Sequence, residues 1–303
     1  MIRGTKLQGY LERCNKTKRP ITADIFLTDY CNEHCKYCRY AHKSGEYMKF
    51  NDFVMYVRQL LRMGVQSVIL TGGGEPMLNP DFDKITGWLE RNNIRYGVNS
   101  NLKMMHFCKP VFLKVSIDTG VRERYKAIRG IDGLADVLRN VRDFCDYRKR
   151  ANTGTKVGVQ CVALREDDVN TFYDAVKSLD VDYIYFRPYE GRESKVSRTD
   201  VEKWLGNRVL DERIVLSYKF DYKDYQPGWC VSNWSVICVD VNGNVPYCCH
   251  RPDEIIGSVL DLNVLKKKAA YHVDMRKCER PCRLSGSNYW LEMREKENDE
   301  VFV

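Results

Sequence analysis

Short apolar runs alternate with amphipathic stretches between residues 22 and 190, and this alternation most narrowly limits the folds open to the chain. Six runs rich in β-branched residues are predicted as strands, at 23–28, 65–70, 94–100, 111–117, 155–164 and 181–186. Segments with helical periodicity lie between most of them, at 51–64, 81–92, 134–147 and 169–179. Strands that alternate with helices predict a parallel sheet. We therefore predict an α/β fold, a partial (β/α)6 barrel of the TIM type.

The chain has 303 residues and 13 cysteines, an odd number. No apolar run approaches the ~18–20 residues that a membrane-spanning helix needs, and the first residues lack the apolar core of a signal peptide. We therefore expect a cytoplasmic protein without a membrane partner. Cysteines in a reducing compartment hold metals or carry redox chemistry more often than they form disulfides.

Three of these cysteines, Cys31, Cys35 and Cys38, lie within eight residues just after the first predicted strand. A loop this short brings three thiolates to one metal centre at small entropic cost. Structural zinc and ordinary iron–sulfur sites use four protein ligands, so three thiolates leave one position open for another molecule. Zinc, with His34 or His42 as the fourth ligand, is the alternative.

The Cys-x3-Cys-x2-Cys spacing, with Tyr37 before the last cysteine, resembles the signature of the radical S-adenosylmethionine (radical SAM) superfamily. The second predicted strand ends in Thr-Gly-Gly-Gly-Glu-Pro at 71–76, which is similar to the Gly-Gly-Glu-Pro motif of that family. Each motif follows its strand, and parallel α/β barrels carry their chemistry on the loops at this end. The resemblance extends over about residues 20–190.

This resemblance implies that Cys31, Cys35 and Cys38 bind three irons of a [4Fe–4S] cluster, whose fourth iron is chelated by SAM. It implies further cofactor-binding residues around SAM, namely Tyr37, Gly73, Gly74, Glu75, Asn101, Ser116, Asp118 and Arg129. The glycine turn would bind the SAM ammonium through its backbone, and Arg129, with Arg124 as a rival, would pair with the SAM carboxylate. The implied enzyme, of oxidoreductase or isomerase type, cleaves SAM to a 5′-deoxyadenosyl radical that removes hydrogen from a substrate C–H bond. An electron donor such as flavodoxin or ferredoxin would reduce the cluster.

The helix–strand alternation ends near residue 215, and six cysteines follow. We divide the chain into a basic N-terminal arm (1–21), the partial barrel (22–215) and a small cysteine-rich domain (216–303). The spacing Cys230-x12-Gly243-x4-Cys248 resembles the SPASM and twitch extensions of some radical SAM enzymes, and Asn242-Gly243 predicts a hairpin that brings the two cysteines together. With Cys278 and Cys282, the resemblance implies a twitch-like domain with one auxiliary [4Fe–4S] cluster.

Other ligand sets remain open for this second site. Cys249 competes with Cys248, because neighbours on a strand point to opposite faces, and Cys238 is a further substitute. A zinc ion held by four cysteines is the structural alternative to a cluster. The remaining cysteines are predicted to be small buried apolar residues: Cys14, Cys108, Cys145 and Cys161.

Positive charge indicates an anionic substrate or partner. Residues 1–22 contain six basic residues and one acidic residue, and Arg187, Arg192 and Arg198 follow the last predicted strand or lie close to it. An acidic peptide, a phosphorylated metabolite or a nucleotide would satisfy this charge. Our first hypothesis is a peptide, a protein side chain or a small metabolite as substrate, and the second is a nucleotide or nucleic-acid base. A zinc- or Fe–S-stabilised nucleic-acid-binding protein is the non-enzymatic alternative.

Overall fold

The computed structural model describes residues 13–14, 16–38, 40, 45–191, 195–222, 224–225, 227–230, 232–278 and 282–300. Eight strands form the main sheet: β1 (Thr22–Phe26), β2 (Ser67–Thr71), β3 (Arg95–Ser100), β4 (Phe112–Ser116), β5 (Lys156–Ala163), β6 (Tyr183–Pro188), β7 (Ile214–Leu216) and β8 (Val236–Val239). The strand order is β7-β6-β5-β4-β3-β2-β1-β8, and every neighbouring pair is parallel. The predicted α/β partial barrel is therefore confirmed.

Helices connect the strands and cover the outer face of the sheet. They are α1 (Phe50–Met63), α2 (Phe82–Arg91), α3 (Arg122–Arg129), α4 (Leu134–Arg150), α5 (Glu166–Val176), α6 (Arg198–Leu205), α7 (Val264–Ala270) and α8 (Ser285–Glu300). The six predicted strands and four predicted helices are all present, with ends within three residues of the predicted ones. Within the described residues, no helix is both long and apolar enough to cross a lipid bilayer.

The period-2 pattern of the strands separates the core from an internal cavity. In β4, Leu113 and Val115 are fully buried in the apolar core, whereas Lys114 and Ser116 line the cavity. Side chains alternate between the two faces of a strand, so a strand with mixed polarity buries one face and presents the other to a polar space. The cavity has a volume of about 990 Å³ and is also lined by Asp24 on β1.

The C-terminal segment contributes a strand to the main sheet. β8 pairs with β1 so that Cys238 lies opposite Asp24. The predicted turn is present, because Asp240 N–H donates to the Asn244 carbonyl at 2.9 Å and Gly243 has a φ of +78°. The predicted hairpin partner is wrong: β9 (Asn244–Cys248) pairs antiparallel with β10 (Arg251–Ser258). β8 instead hydrogen-bonds to the barrel edge.

The cysteines predicted to be apolar are all buried: Cys14, Cys108, Cys145 and Cys161 are 0–3% exposed. Cys14 packs against Trp234 and Leu291, so the chain before β1 contacts the C-terminal segment. Residues 1–12, which hold part of the predicted basic arm, lie outside the described residues.

Candidate functional site

The three-cysteine loop leaves the carboxyl end of β1 and is held by backbone hydrogen bonds. His34 N–H donates to the Arg129 carbonyl at 2.8 Å, and Cys38 N–H donates to the Cys35 carbonyl at 3.0 Å. Burial raises the pKa of Cys31 to about 11 and that of Cys35 to about 12, and the neighbouring Cys38 contributes to both shifts. The three thiols therefore interact electrostatically. His34 is exposed, and His42 lies outside the described residues.

A buried charge network anchors this loop, and its central acid, Glu33, was missed by the sequence analysis. Glu33 is 5% exposed and accepts hydrogen bonds from Tyr125 Oη at 2.6 Å and from an Arg129 terminal nitrogen at 3.0 Å. The other terminal nitrogen of Arg129 pairs with Asp118. Both end groups of the guanidinium are thus bound to acids of this chain, which favours a loop-anchoring role over the expected contact with a SAM carboxylate.

The rival arginine, Arg124, is also bound within the chain. Its guanidinium pairs with Asp168 at 2.9 Å, and the Asp168 side chain is buried. Arg129 lies closer to the cysteine loop, because one of its nitrogens is 3.6 Å from Cys35 Sγ. Of these two arginines, Arg129 is therefore the one placed to donate to a sulfur of the cysteine loop.

The glycine turn after β2 packs directly against the segment that enters the cysteine loop. Gly74 N–H donates to the Thr28 carbonyl at 2.7 Å, and Glu75 N–H donates to the Tyr30 carbonyl at 2.9 Å. A Cβ on Gly74 would lie 1.9 Å from Tyr30 O, and Gly73 has a φ of +70°. Only glycine fits these two positions. The N–H groups of the turn are thus already bound to the carbonyls of Thr28 and Tyr30. An ammonium would therefore be bound by carbonyl oxygens of the turn, which can accept its hydrogen bonds.

The Glu75 carboxylate ties the turn to the end of β3. It accepts hydrogen bonds from Ser100 Oγ and Asn101 N–H at 2.7 Å each, and from Met77 N–H at 3.1 Å. Burial raises the pKa of Glu75 to about 7, and the three hydrogen bonds partly oppose this shift. The Asn101 amide nitrogen lies 3.8 Å from Cys31 Sγ. Glu75 and Asn101 thus connect the two predicted motifs.

Ser116 and Asp118, at the carboxyl end of β4, have different surroundings. Ser116 pairs in register with Gln160, and both residues line the cavity. Asp118, at a φ of +76°, accepts hydrogen bonds from Tyr37 Oη and from Val162 N–H, the latter at 2.8 Å. The Asp118 carboxylate is buried in the wall, so Ser116 is better placed than Asp118 for the expected contact with SAM. Tyr37 also lines the cavity.

Three C-terminal thiols share one apolar cluster, formed by Cys230, Cys248 and Cys282 with Tyr247 and Leu284. The fourth predicted ligand, Cys278, contributes to the raised pKa of Cys230, so it lies near the same cluster. Asn288 Nδ2 lies 3.5 Å from Cys230 Sγ, and Leu284 N–H lies 3.4 Å from Cys282 Sγ. The four predicted auxiliary ligands thus lie in or near one cluster of side chains.

A buried ammonium lies beside these thiols. Lys268 is 3% exposed and donates to the carbonyls of Val236 and Tyr247 at 3.0 Å each. No carboxylate among the described residues forms an ion pair with it. Burial lowers the pKa of Lys268, and the neighbouring cysteine thiols oppose this shift. A buried cation needs a compensating anion. A metal centre held by thiolates is such an anion, so the surroundings of Lys268 fit an auxiliary cluster.

The two alternative auxiliary ligands lie elsewhere. The sulfurs of Cys238 and Cys249 lie within 4.8 Å of each other and of an Asp24 carboxylate oxygen, and Cys249 lines the barrel cavity. Cys248 and Cys249 are consecutive residues that contact different groups, because neighbours on a strand point to opposite faces. The contacts favour Cys248 as the member of the auxiliary set.

The barrel cavity is cationic. It is lined by Arg95, Lys114, Arg187, Lys219 and Arg283, and by two acids, Asp24 and Glu190. Glu190 pairs with Lys219, with His250 at 3.2 Å and with Arg187 at 3.8 Å, which holds its pKa well below the usual value. The cavity therefore carries more cationic than anionic side chains.

Lys114 and Arg95 are the two cations of the cavity that form no ion pair with an acid among the described residues, and Lys114 is the more buried of the two. The Lys114 ammonium lies 5.9 Å from the centre of the Tyr185 ring. Burial, and then the nearby Lys219 and Arg187, lower the pKa of Lys114 to about 7. Of the other predicted cations, Arg198 pairs with Asp221 at 2.6 Å and does not line the cavity. Arg192 lies outside the described residues.

Residues 25–179, about half of the chain, match the family model of the Radical SAM superfamily. A probable GTP 3′,8-cyclase of Pyrococcus horikoshii is 31% identical over 137 residues, which are 41% of this chain and 43% of the relative. A GTP 3′,8-cyclase of Stenotrophomonas maltophilia is 25% identical over 206 residues, 63% of this chain and 60% of the relative. The chain thus spans only about half the length of these relatives.

Two solved structures share the fold. Streptococcus suis SuiB bound to S-adenosylmethionine superposes with a TM-score of 0.61 at 16% identity, over 80% of this chain and 63% of SuiB. The enzyme anSMEcpe with bound AdoMet superposes with a TM-score of 0.60 at 18% identity, over 83% of this chain and 82% of the other. The family uses a [4Fe–4S] cluster and SAM, and three interacting thiols beside a glycine turn fit these cofactors. The protein is therefore a member of the radical SAM superfamily, and the enzymatic interpretation holds over the non-enzymatic alternative.

Proposed function

We propose that this enzyme removes a hydrogen atom from a C–H bond of a small anionic substrate, a phosphorylated nucleoside in the first instance. The observation that carries the proposal is the cationic cavity, in which Lys114 has no acidic partner among the described residues. The name of the relatives, GTP 3′,8-cyclase, supports a nucleotide. These two findings reverse the order of the substrate hypotheses drawn from the sequence, in which peptides and small metabolites came first.

The cavity volume suits this assignment. Small-molecule pockets measure roughly 300–1,000 Å³, and a volume of about 990 Å³ lies at the upper end of that range. It is large enough for the adenosyl part of SAM together with a second molecule of metabolite size. Tyr37 and Tyr189 lie 6.1 Å apart, ring centre to ring centre, and line the same space. Aromatic walls bind a base, and Lys114 with Arg187 would bind phosphates.

The chain would contribute binding and orientation. When bound, the cluster and SAM supply a carbon-centred radical by reductive cleavage of SAM. Cys31, Cys35 and Cys38 would hold the cluster, with the Arg129 and Asn101 N–H groups donating toward Cys35 and Cys31. Carbonyl oxygens of residues 73–75 would accept the SAM ammonium, and Ser116 would contact SAM from the facing wall. With SAM and substrate bound, the barrel walls would limit the access of water to the reacting carbon.

A second metal centre would lie in the C-terminal segment. We assign Cys230, Cys248, Cys278 and Cys282 to an auxiliary [4Fe–4S] cluster, with Lys268 as its buried counter-ion. Such a cluster near the substrate either binds it or accepts the electron that remains after hydrogen removal. The first case corresponds to an isomerase type of reaction, and the second to an oxidoreductase.

The test uses the full chain with reconstituted clusters, SAM and dithionite under anaerobic conditions. Nucleoside triphosphates deuterated in the ribose are compared with deuterated peptides, and deuterium in 5′-deoxyadenosine is measured by mass spectrometry. We expect transfer from a nucleotide, and a loss of this transfer in Lys114→Met but not in Lys203→Met, an exposed lysine of α6. Transfer from peptides alone would overturn the substrate assignment. Return of deuterium to the product would distinguish isomerisation from oxidation.

A further inference from the structure

A third group of metal-ligand side chains lies inside the barrel, apart from both sets of predicted cluster ligands. The ligand atoms of Asp24, Cys238 and Cys249 all lie within 4.8 Å of one another. Asp24 and Cys238 are direct neighbours in register on β1 and β8, and Asp24 is 1% and Cys238 2% exposed. The pairing of two parallel strands therefore fixes two of the three groups.

The carboxylate of Asp24 is incompletely satisfied. Its Oδ2 atom pairs with Arg283, but its Oδ1 atom is buried and has no hydrogen-bond partner among the described residues. The same Arg283 nitrogen lies 3.1 Å from Cys249 Sγ. Buried carboxylate oxygens in native proteins are almost always bonded, so an orphaned one indicates a group that occupies the site in the working protein.

We propose that Asp24, Cys238 and Cys249 bind a divalent zinc ion, with the fourth coordination position open to the substrate cavity. Two sulfurs and one carboxylate oxygen form a donor set that zinc prefers. Zinc–ligand bonds of about 2.0–2.3 Å place tetrahedral ligand atoms about 3.3–3.8 Å apart, so ligand atoms that lie within 4.8 Å of one another need to move by only about 1 Å.

The local charges balance in this arrangement. A divalent ion with two thiolates and one carboxylate has a net charge of −1, and the adjacent Arg283 guanidinium neutralises it. Arg283 then donates hydrogen bonds to Asp24 and Cys249 and orients them, as hydrogen-bond partners outside the ligand set orient the ligands at other metal sites. Cys249 is available because its neighbour Cys248 lies with the other auxiliary thiols.

The open position has a defined chemical consequence. Zinc sites with three protein ligands bind water or a substrate heteroatom in the fourth position. Because Asp24 and Cys249 line the cavity, an oxygen, nitrogen or sulfur atom of the substrate would reach the ion directly. The site would thus orient a substrate inside the barrel cavity.

The test measures metal content rather than turnover. The full chain is first loaded with iron and sulfide, then equilibrated anaerobically with one equivalent of zinc and desalted, and zinc and iron are counted. We expect about one zinc per chain in the wild type and in the control Cys145→Ser, a buried cysteine of α4. We expect at least about 100-fold weaker zinc binding in Asp24→Asn and in Cys238→Ser, with iron content unchanged.

Asp24→Asn is isosteric, and an iron content equal to that of the wild type shows that this variant is folded. Loss of zinc from the folded variant then shows that the Asp24 carboxylate binds zinc. Replacement of zinc by Co²⁺ gives a second readout, because d–d bands of a tetrahedral cobalt–thiolate centre should be present in the wild type and absent in Asp24→Asn. Zinc that is retained in both variants but lost in Cys278→Ser would place the ion in the auxiliary site and overturn the proposal. A wild-type protein that retains no zinc would overturn it as well.

Discussion

Replacement of Lys114 by Met tests whether this amine binds the anionic substrate. Its pKa of about 7 lies well below the usual 10.5, so at pH 8 only about a tenth of the free enzyme has a charged Lys114. A bound phosphate would stabilise the ammonium and return its pKa toward the usual value. Binding at pH 8 should therefore take up about 0.9 proton per site, and binding at pH 6 almost none.

The sign of the pH effect follows from this linkage. Because the bound state holds the extra proton, affinity should be constant below pH 7 and fall by up to about tenfold per pH unit above it. Lys114→Met should remove the proton uptake and weaken binding by about 30- to 1,000-fold, as expected for a partly buried charge pair with phosphate. Isothermal titration of GTP without reductant, in buffers of different ionisation enthalpy, measures both quantities.

The control is Lys203→Met, which removes an exposed lysine of α6 and should retain the wild-type uptake. The reasoning is refuted if wild type and Lys114→Met take up the same number of protons at pH 8. It is also refuted if affinity in the wild type does not change between pH 7 and 9.

Three further predictions concern the metal sites. Gly74→Ala should weaken SAM binding by more than about 100-fold, because the new Cβ would overlap a backbone carbonyl. The control Gly87→Ala in α2 should leave SAM binding unchanged. Equal SAM affinities of the two variants would contradict the assignment of the turn. Cys35→Ala should lose one cluster by iron count and form no 5′-deoxyadenosine; continued SAM cleavage would contradict the ligand assignment. Lys268→Met should shift the reduction potential of the auxiliary cluster by on the order of 100 mV to more negative values, as measured in an EPR-monitored titration. The control Lys267→Met, which removes an exposed neighbouring lysine, should leave the potential unchanged. An unchanged potential in Lys268→Met would exclude Lys268 as the counter-ion.

Local patterns predicted the barrel well. The apolar run 111–117 predicted β4, and the burial of its side chains in the structure alternates with the period of two that a strand imposes. The start of α1 was less predictable. Asn51 is a plausible N-cap by residue type, but the helix begins one residue earlier, at Phe50. The N–H of Phe50 donates to the Asp81 carboxylate, which lies 31 residues further along the chain.

The remaining site features depend on tertiary contacts that a pattern does not contain. Glu33 lies inside the cysteine motif, yet its role follows from Tyr125 and Arg129, which are about 95 residues away in the chain. Lys268 resembles any helix lysine in sequence, and only packing reveals that it is buried. Cys248 and Cys249 illustrate the same limit, because their spacing permits either one as ligand and their opposite orientations distinguish them.

The pairing of β8 with β1 has a consequence for where the protein can be shortened. A cut near residue 215 would leave the backbone N–H and C=O groups of β1 exposed along one side, next to the buried Asp24. Unpaired strand edges of this kind recruit other chains and aggregate. Because β1 leads directly into the three-cysteine loop, the shortened barrel would lose its support at the point where the first cluster attaches.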